Sequence, residues 1–189
     1  MIEDDDPGWG LSSRMLVFLL PLAGPILRRR QFNAVDPLVL MRQVFLAFCF
    51  ALFSFGVVLA LIYPGERPLR DPPTALAAGL LFLGAIGLAL EPRLERPLLC
   101  TNDGTLVGSY RTRLFLRIAF AEACALFGFV GFFLTLEWWP YPLGVALAAV
   151  GFRRAAPTRA NLRRDQERLA EQGCFRPLVA ALRGRGREY

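Results

Sequence analysis

The chain has 189 residues, 54% of them hydrophobic, with 22 basic and 16 acidic side chains and a formal net charge of +6. Its mean hydropathy is +0.40, and the apolar residues are gathered in blocks rather than spread periodically, which points to membrane spans rather than a soluble core. All basic residues are arginine, as the coding bias of a GC-rich, bacterial-type genome would give, and histidine is absent. That absence excludes Ser-His-Asp and Cys-His catalysis, histidine zinc sites and the usual near-neutral proton shuttle.

The acidic, Gly/Pro-broken start MIEDDDPGWG reads as a tail, followed by MLVFLLPLAGPIL at 15–27 and then Arg28, Arg29 and Arg30. Thirteen apolar residues broken by Pro21, Gly24 and Pro25 fall short of the roughly 20 that a spanning helix needs. A signal peptide would carry its charge before the apolar run, whereas here the arginines follow it. The segment is expected to lie along the membrane interface, with a short re-entrant element as the alternative. Residues 1–37 thus form a cytoplasmic N-terminal tail.

Residues 44–62, VFLAFCFALFSFGVVLALI, are an uncharged first span. Asp36 and Pro37 offer a cap and a first-turn proline, and Arg42 is close enough to the end to snorkel toward headgroups. A second apolar block, 75–90, contains Gly79, Gly84 and Gly87, residues that permit close helix approach. Residues 91–111 are expected to be a polar connection with a turn at Asn102-Asp103-Gly104. The third span has Arg113 and Arg117 at its start, and Glu137-Trp138-Trp139-Pro140-Tyr141-Pro142 after it suits a membrane–water interface. The fourth block, LGVALAAVGF, barely spans even when counted over 138–152.

The sequence therefore predicts an all-α polytopic membrane protein whose membrane domain, 38–156, holds four transmembrane helices as two hairpins. Ala51-Leu52-Phe53-Ser54-Phe55 is echoed by Ala125-Leu126-Phe127-Gly128-Phe129 at an offset of 74, as a duplicated hairpin would give. Twenty of the 22 arginines fall in the N-terminal segment, the 91–117 connection and the tail. By the positive-inside rule, both termini and that connection face the cytoplasm of a plasma (inner) membrane protein. Residues 157–189 form a basic helical tail: Thr158 is a plausible cap, Gly173 a stop, and Leu162 and Leu169 share one face of an amphipathic cytoplasmic helix.

The four cysteines, Cys49, Cys100, Cys124 and Cys174, match no metal or redox spacing. No disulfide framework, metal or other cofactor is expected. The sequence offers no phosphate-binding loop, no nucleophile–base arrangement and no paired carboxylates. Nucleic acid is excluded as a partner by acids interrupting the basic tail and by the lack of interleaved aromatics.

The candidate site is Glu122, an ionisable residue inside a span, which is costly and a functional candidate by default. It lies five residues past Arg117, roughly 7.5 Å deeper, and about 140° around the helix from it, so the two do not pair within the helix. Glu122 must find a partner on another helix, take up a proton or bind an ion, and an apolar setting should raise its pKa. Ala119-Phe120-Ala121-Glu122-Ala123 with Phe127-Gly128 and Val130 resembles the ion-carrying helix of rotary ATP synthase c subunits. The order of a Gly/Ala-rich span, a cytoplasmic loop and a carboxylate helix over 75–136 resembles that family too. The likeness covers about a third of the chain, without a regular Gly-x-Gly-x-Gly series, and implies a proton or cation site at Glu122. Arg153, Arg154, Arg159, Arg163 and Arg164 are candidate contacts for anionic lipid headgroups. The function read from these residues is non-enzymatic: a structural or accessory subunit that associates with itself or a larger membrane complex. The alternative is a proton- or cation-binding, proteolipid-like transport component using Glu122.

Overall fold

A computed structural model describes Trp9, residues 37–63 and residues 72–184. The interfacial segment at 15–27 and the outer loop at 64–71 lie outside the described residues. Six helices and no strand occur among the described residues: α1 (Pro37–Ile62), α2 (Thr74–Leu94), α3 (Asp103–Thr135), α4 (Pro140–Ala155), α5 (Arg159–Glu171) and α6 (Leu178–Leu182).

Helices α1, α2 and α3 are long and apolar enough to cross a membrane. Their outward faces are apolar: Phe53, Leu61 and Phe82 are each about two-thirds exposed or more. Such a surface is tolerable only against lipid, and the chain is membrane-embedded. The fourth apolar block is less complete. Helix α4 has 16 residues, a length of about 24 Å against a hydrocarbon core of about 30 Å, so three helices rather than four meet the length needed to span.

Two boundaries differ from the sequence reading. Helix α2 runs through Pro92 to Leu94, so the first acids of the expected connection are helical. Helix α3 starts at Asp103, because Asn102 caps it rather than turning the chain. The Asn102 side-chain oxygen accepts from Thr105 N at 2.8 Å while Thr105 Oγ1 accepts from Asn102 N at 3.1 Å, a reciprocal cap that satisfies two amide donors. With 33 residues, α3 is about 50 Å long and outruns any bilayer core.

The chain divides into two compact units. One takes in residues 48–95 and 113–155, and its helices meet at glycines. A Cβ on Gly144 of α4 would sit 2.6 Å from the Cys124 carbonyl oxygen of α3 and 3.0 Å from Gly128 Cα, so these two backbones are in direct contact. Gly84 of α2 likewise lies against Cys124, whose thiol donates to the Gly84 carbonyl at 3.4 Å. Gly79 does not serve this purpose, since nothing lies within 4 Å of its Cβ position. An aromatic cluster of Phe55, Phe129, Phe132 and Tyr141 fills the remaining space, and the Tyr141 hydroxyl donates to the Leu52 carbonyl, a partner that a buried phenol requires.

The other unit gathers residues 37–47, 96–112 and 156–184 with Trp9. Its core holds Leu38, Leu106, Leu162, Leu169, Leu178 and Leu182, all buried. Thr158 caps α5 by accepting from Asn161 N at 3.3 Å, and Gly173 just beyond it adopts the left-handed φ of 78°, where a glycine costs least. Arg42 departs from expectation. Instead of snorkelling outward it is fully buried, its Nε donates to the Pro157 carbonyl at 3.1 Å, and its guanidinium lies 5.2 Å from the Trp9 ring centroid. A buried guanidinium needs acceptors more than it needs water.

Candidate functional site

Glu122 lies on α3 beside its packed face: Ala121, Cys124 and Ala125 are fully buried, and Glu122 itself is half-buried. No hydrogen bond or ion pair reaches its carboxyl among the described residues. The interhelical partner that the sequence reading required is therefore not supplied within these helices.

A second acidic site was not evident from the sequence. Helix α2 ends in Glu91-Pro92-Arg93-Leu94, with Glu95 as its C-cap. The i, i+4 spacing puts Glu91 and Glu95 on one face a turn apart, and the helix survives Pro92, so the expectation of no paired carboxylates is corrected. Opposite them, Arg113 and Arg117 are four apart on α3. Arg113 Nη2 donates to Glu95 Oε2 and Arg117 Nε donates to Glu95 Oε1. Arg117 Nε also stands 3.5 Å from Glu91 Oε1. Both carboxylates have side chains about a tenth exposed or less. Burial opposes ionisation of Glu95, but Arg117, the Glu91 carboxyl and Arg113 outweigh it and hold Glu95 down at about 2.

Arg113 and Arg117 thus do more than mark the end of a span. They lie toward the first half of a helix that begins ten residues before Arg113, and both pair with Glu95 at the end of α2. Of the arginines proposed for lipid contact, Arg153 and Arg154 close α4 in one unit, while Arg159, Arg163 and Arg164 lie on α5 in the other. All five are exposed. On α5 the buried residues are Leu162, Asp165 and Leu169.

Cys100 and Cys174 form a disulfide with a Cα–Cα distance of 6.2 Å, within the usual range for a bridge. The expectation of no disulfide framework is corrected, and Cys49 and Cys124 are free. The bond ties the segment between α2 and α3 to the segment between α5 and α6. Beside it, Arg176 Nη1 reaches Asp103 Oδ1 at 2.9 Å. Compared with family models, curated proteins and solved structures, the chain matches none.

Proposed function

We propose that the chain is a non-enzymatic, structural or accessory plasma-membrane protein that docks another membrane helix against α3 at Glu122. The observation that carries this reading is the half-buried Glu122 carboxyl, which has no hydrogen bond or ion pair among the described residues. A carboxyl inside an apolar span is costly, and a donor from a second copy or a larger complex would relieve that cost. Four crossings as two hairpins belong to the same reading. The Cys100–Cys174 bond requires both cysteines on one side of the membrane, yet α3 lies between them; if α3 crosses, the short α4 must bring the chain back. The Arg42–Pro157 hydrogen bond makes the same demand on the start of α1 and the end of α4. The arginine distribution then favours the cytoplasm for both termini and for the connection around Thr101, with α5 as a cytoplasmic helix and its arginines available to anionic lipids.

The test is the mass of the protein purified in mild detergent. The parent and Glu122→Gln should run as an assembly, because the amide still donates and accepts, while Glu122→Leu should run as a single chain. A Leu variant that keeps the parent's mass rules docking out. The second reading, a proton or cation site at Glu122, draws on the same observation and on the likeness of Ala121-Glu122-Ala123 and Phe127-Gly128 to ATP synthase c subunits. It is tested by labelling with a hydrophobic carbodiimide, which requires a protonated acid in an apolar setting; absence of pH-dependent labelling at Glu122 removes it.

A further inference from the structure

We propose that Glu91 and Glu95 hold one proton between them, against the fixed positive charge of Arg113 and Arg117, so that the end of α2 carries a proton-binding site separate from Glu122.

The asymmetry of the arginine contacts carries the argument. Both oxygens of Glu95 are engaged, Oε1 by Arg117 and Oε2 by Arg113, which fixes Glu95 as the ionised member. Arg117 Nε bears a single hydrogen, and that hydrogen is directed at Glu95. Its 3.5 Å approach to Glu91 Oε1 therefore leaves this oxygen without a hydrogen bond. Glu91 is 3% exposed, so no bulk water solvates a charge there. Glu91 and Glu95 both approach Arg117 Nε, which sets the two carboxyls side by side. Two neighbouring carboxyls resist ionising together, and the one whose buried oxygen has no donor is the one that keeps the proton.

The charges facing Glu91 are divided, and it is burial without a donor that favours the proton. Glu95 on its own chain segment repels a second negative charge, Arg117 on α3 attracts it at a distance, and Arg154 at the end of α4 attracts it further away. The buried Arg113 and the largely buried Arg117 face a pair carrying a net single negative charge, and the pair takes up or gives back one proton without rearranging Glu95. Environments that push two neighbouring acids apart are the usual way a protein assigns one to hold a proton and the other to hold a charge.

The experiment is infrared spectroscopy of the full-length protein in lipid nanodiscs, reading the C=O band that only a protonated carboxyl gives. Ordinary carboxyls are ionised at pH 7 and do not contribute, and the Glu122→Gln background removes the other intramembrane acid. In that background a protonated-carboxyl band should be present at pH 7, fade as the pH is raised, and be lost when Glu91→Gln is added. Glu95→Gln should also remove the band, because Glu91 then gains both arginines and ionises. A Glu122→Gln protein without the band at pH 7 overturns the proposal with the cluster untouched. A band that survives Glu91→Gln overturns it as well. Neither result bears on docking at Glu122, which the mass measurement decides separately.

Discussion

Glu95 is the counter-ion of the buried Arg113 and the largely buried Arg117, and its removal should be felt in proportion. Glu95→Gln removes two charge-assisted hydrogen bonds, from Arg113 and Arg117, each contributing about 1.5–3 kcal/mol. Breaking a buried pair outright costs about 3–5 kcal/mol. The full loss should not appear in the single variant, because Glu91, one turn away and 3.5 Å from Arg117, can give up its proton and take over part of the role. We expect about 2–3 kcal/mol for Glu95→Gln, under about 1 kcal/mol for Glu91→Gln, and about 5 kcal/mol for the double variant, a coupling within the range found for groups in one network. At about 2–4 °C per kcal/mol for a chain of this size, the double variant should melt roughly 10–20 °C below the parent. Thermal unfolding in detergent, followed by tryptophan fluorescence, measures this cycle. Additive effects within about 0.5 kcal/mol would refute the shared use of the arginines. The pH dependence has a definite sign. Glu95 is lowered from 4.5 to about 2 on folding, so its contribution is complete above about 4.5 and is lost as the pH falls toward 2. The parent should therefore lose melting temperature over that acid window more steeply than Glu95→Gln.

Gly144→Ala should cost at least the 1–3 kcal/mol typical of overpacking, about 2 kcal/mol or more, because its Cβ meets the Cys124 carbonyl oxygen and Gly128 Cα, and neither can step aside as a side chain would. Gly79→Ala, with open space around it, should be neutral or gain up to about 1 kcal/mol; the same melting assay compares them. The double variant Arg163→Gln/Arg164→Gln should weaken retention of anionic lipid by up to about 2 kcal/mol, read by mass spectrometry of the lipid that co-purifies, and should leave retention of neutral lipid unchanged.

The spans were legible because a run such as 44–62 has no alternative to an apolar environment; hydropathy alone decides it. Features made by contacts distant in sequence were not. Arg42 at the edge of a span looks like a snorkelling residue until Pro157, 115 residues away, supplies its acceptor. Glu91 and Glu95 flank Pro92, and a proline between two acids reads as the start of a loop. Helix α2 nonetheless runs past Pro92 to Leu94, although proline gives up its bond to the Leu88 carbonyl, and only then do the acids share a face. Asn102-Asp103-Gly104 fits a turn and a helix start equally well, and the reciprocal bonds with Thr105 decide between them. The spacing Asn102-x-x-Thr105 was the available signal, although a capping box more often ends in Glu or Gln. Glu122 was found because a single acid in an apolar run is conspicuous, yet no one-dimensional pattern reveals whether a second helix meets it.

The Cys100–Cys174 bond brings two physical rules into opposition. Positive charge retains loops in the cytoplasm, and the connection and tail that carry these cysteines hold fifteen of the 22 arginines. Disulfides, by contrast, persist in oxidising compartments and are rare in a cytosol that keeps thiols reduced. The bond constrains only that both cysteines share a side; the arginines choose which side. Charge bias acts during insertion, before the tail exists to pair with Cys100, so it should prevail, and the cysteines should then exchange between thiol and disulfide with the cytosolic redox state. In growing cells quenched with acid, we expect both cysteines to alkylate as thiols, and after a disulfide-forming oxidant we expect both to be protected until a reductant is added. A membrane-impermeant thiol reagent, applied to intact cells after an impermeant reductant, should label neither. Labelling of Cys100 and Cys174 under that last condition would place the arginine-rich unit outside, and the orientation argued from charge would fall while the shared side of the two cysteines would stand.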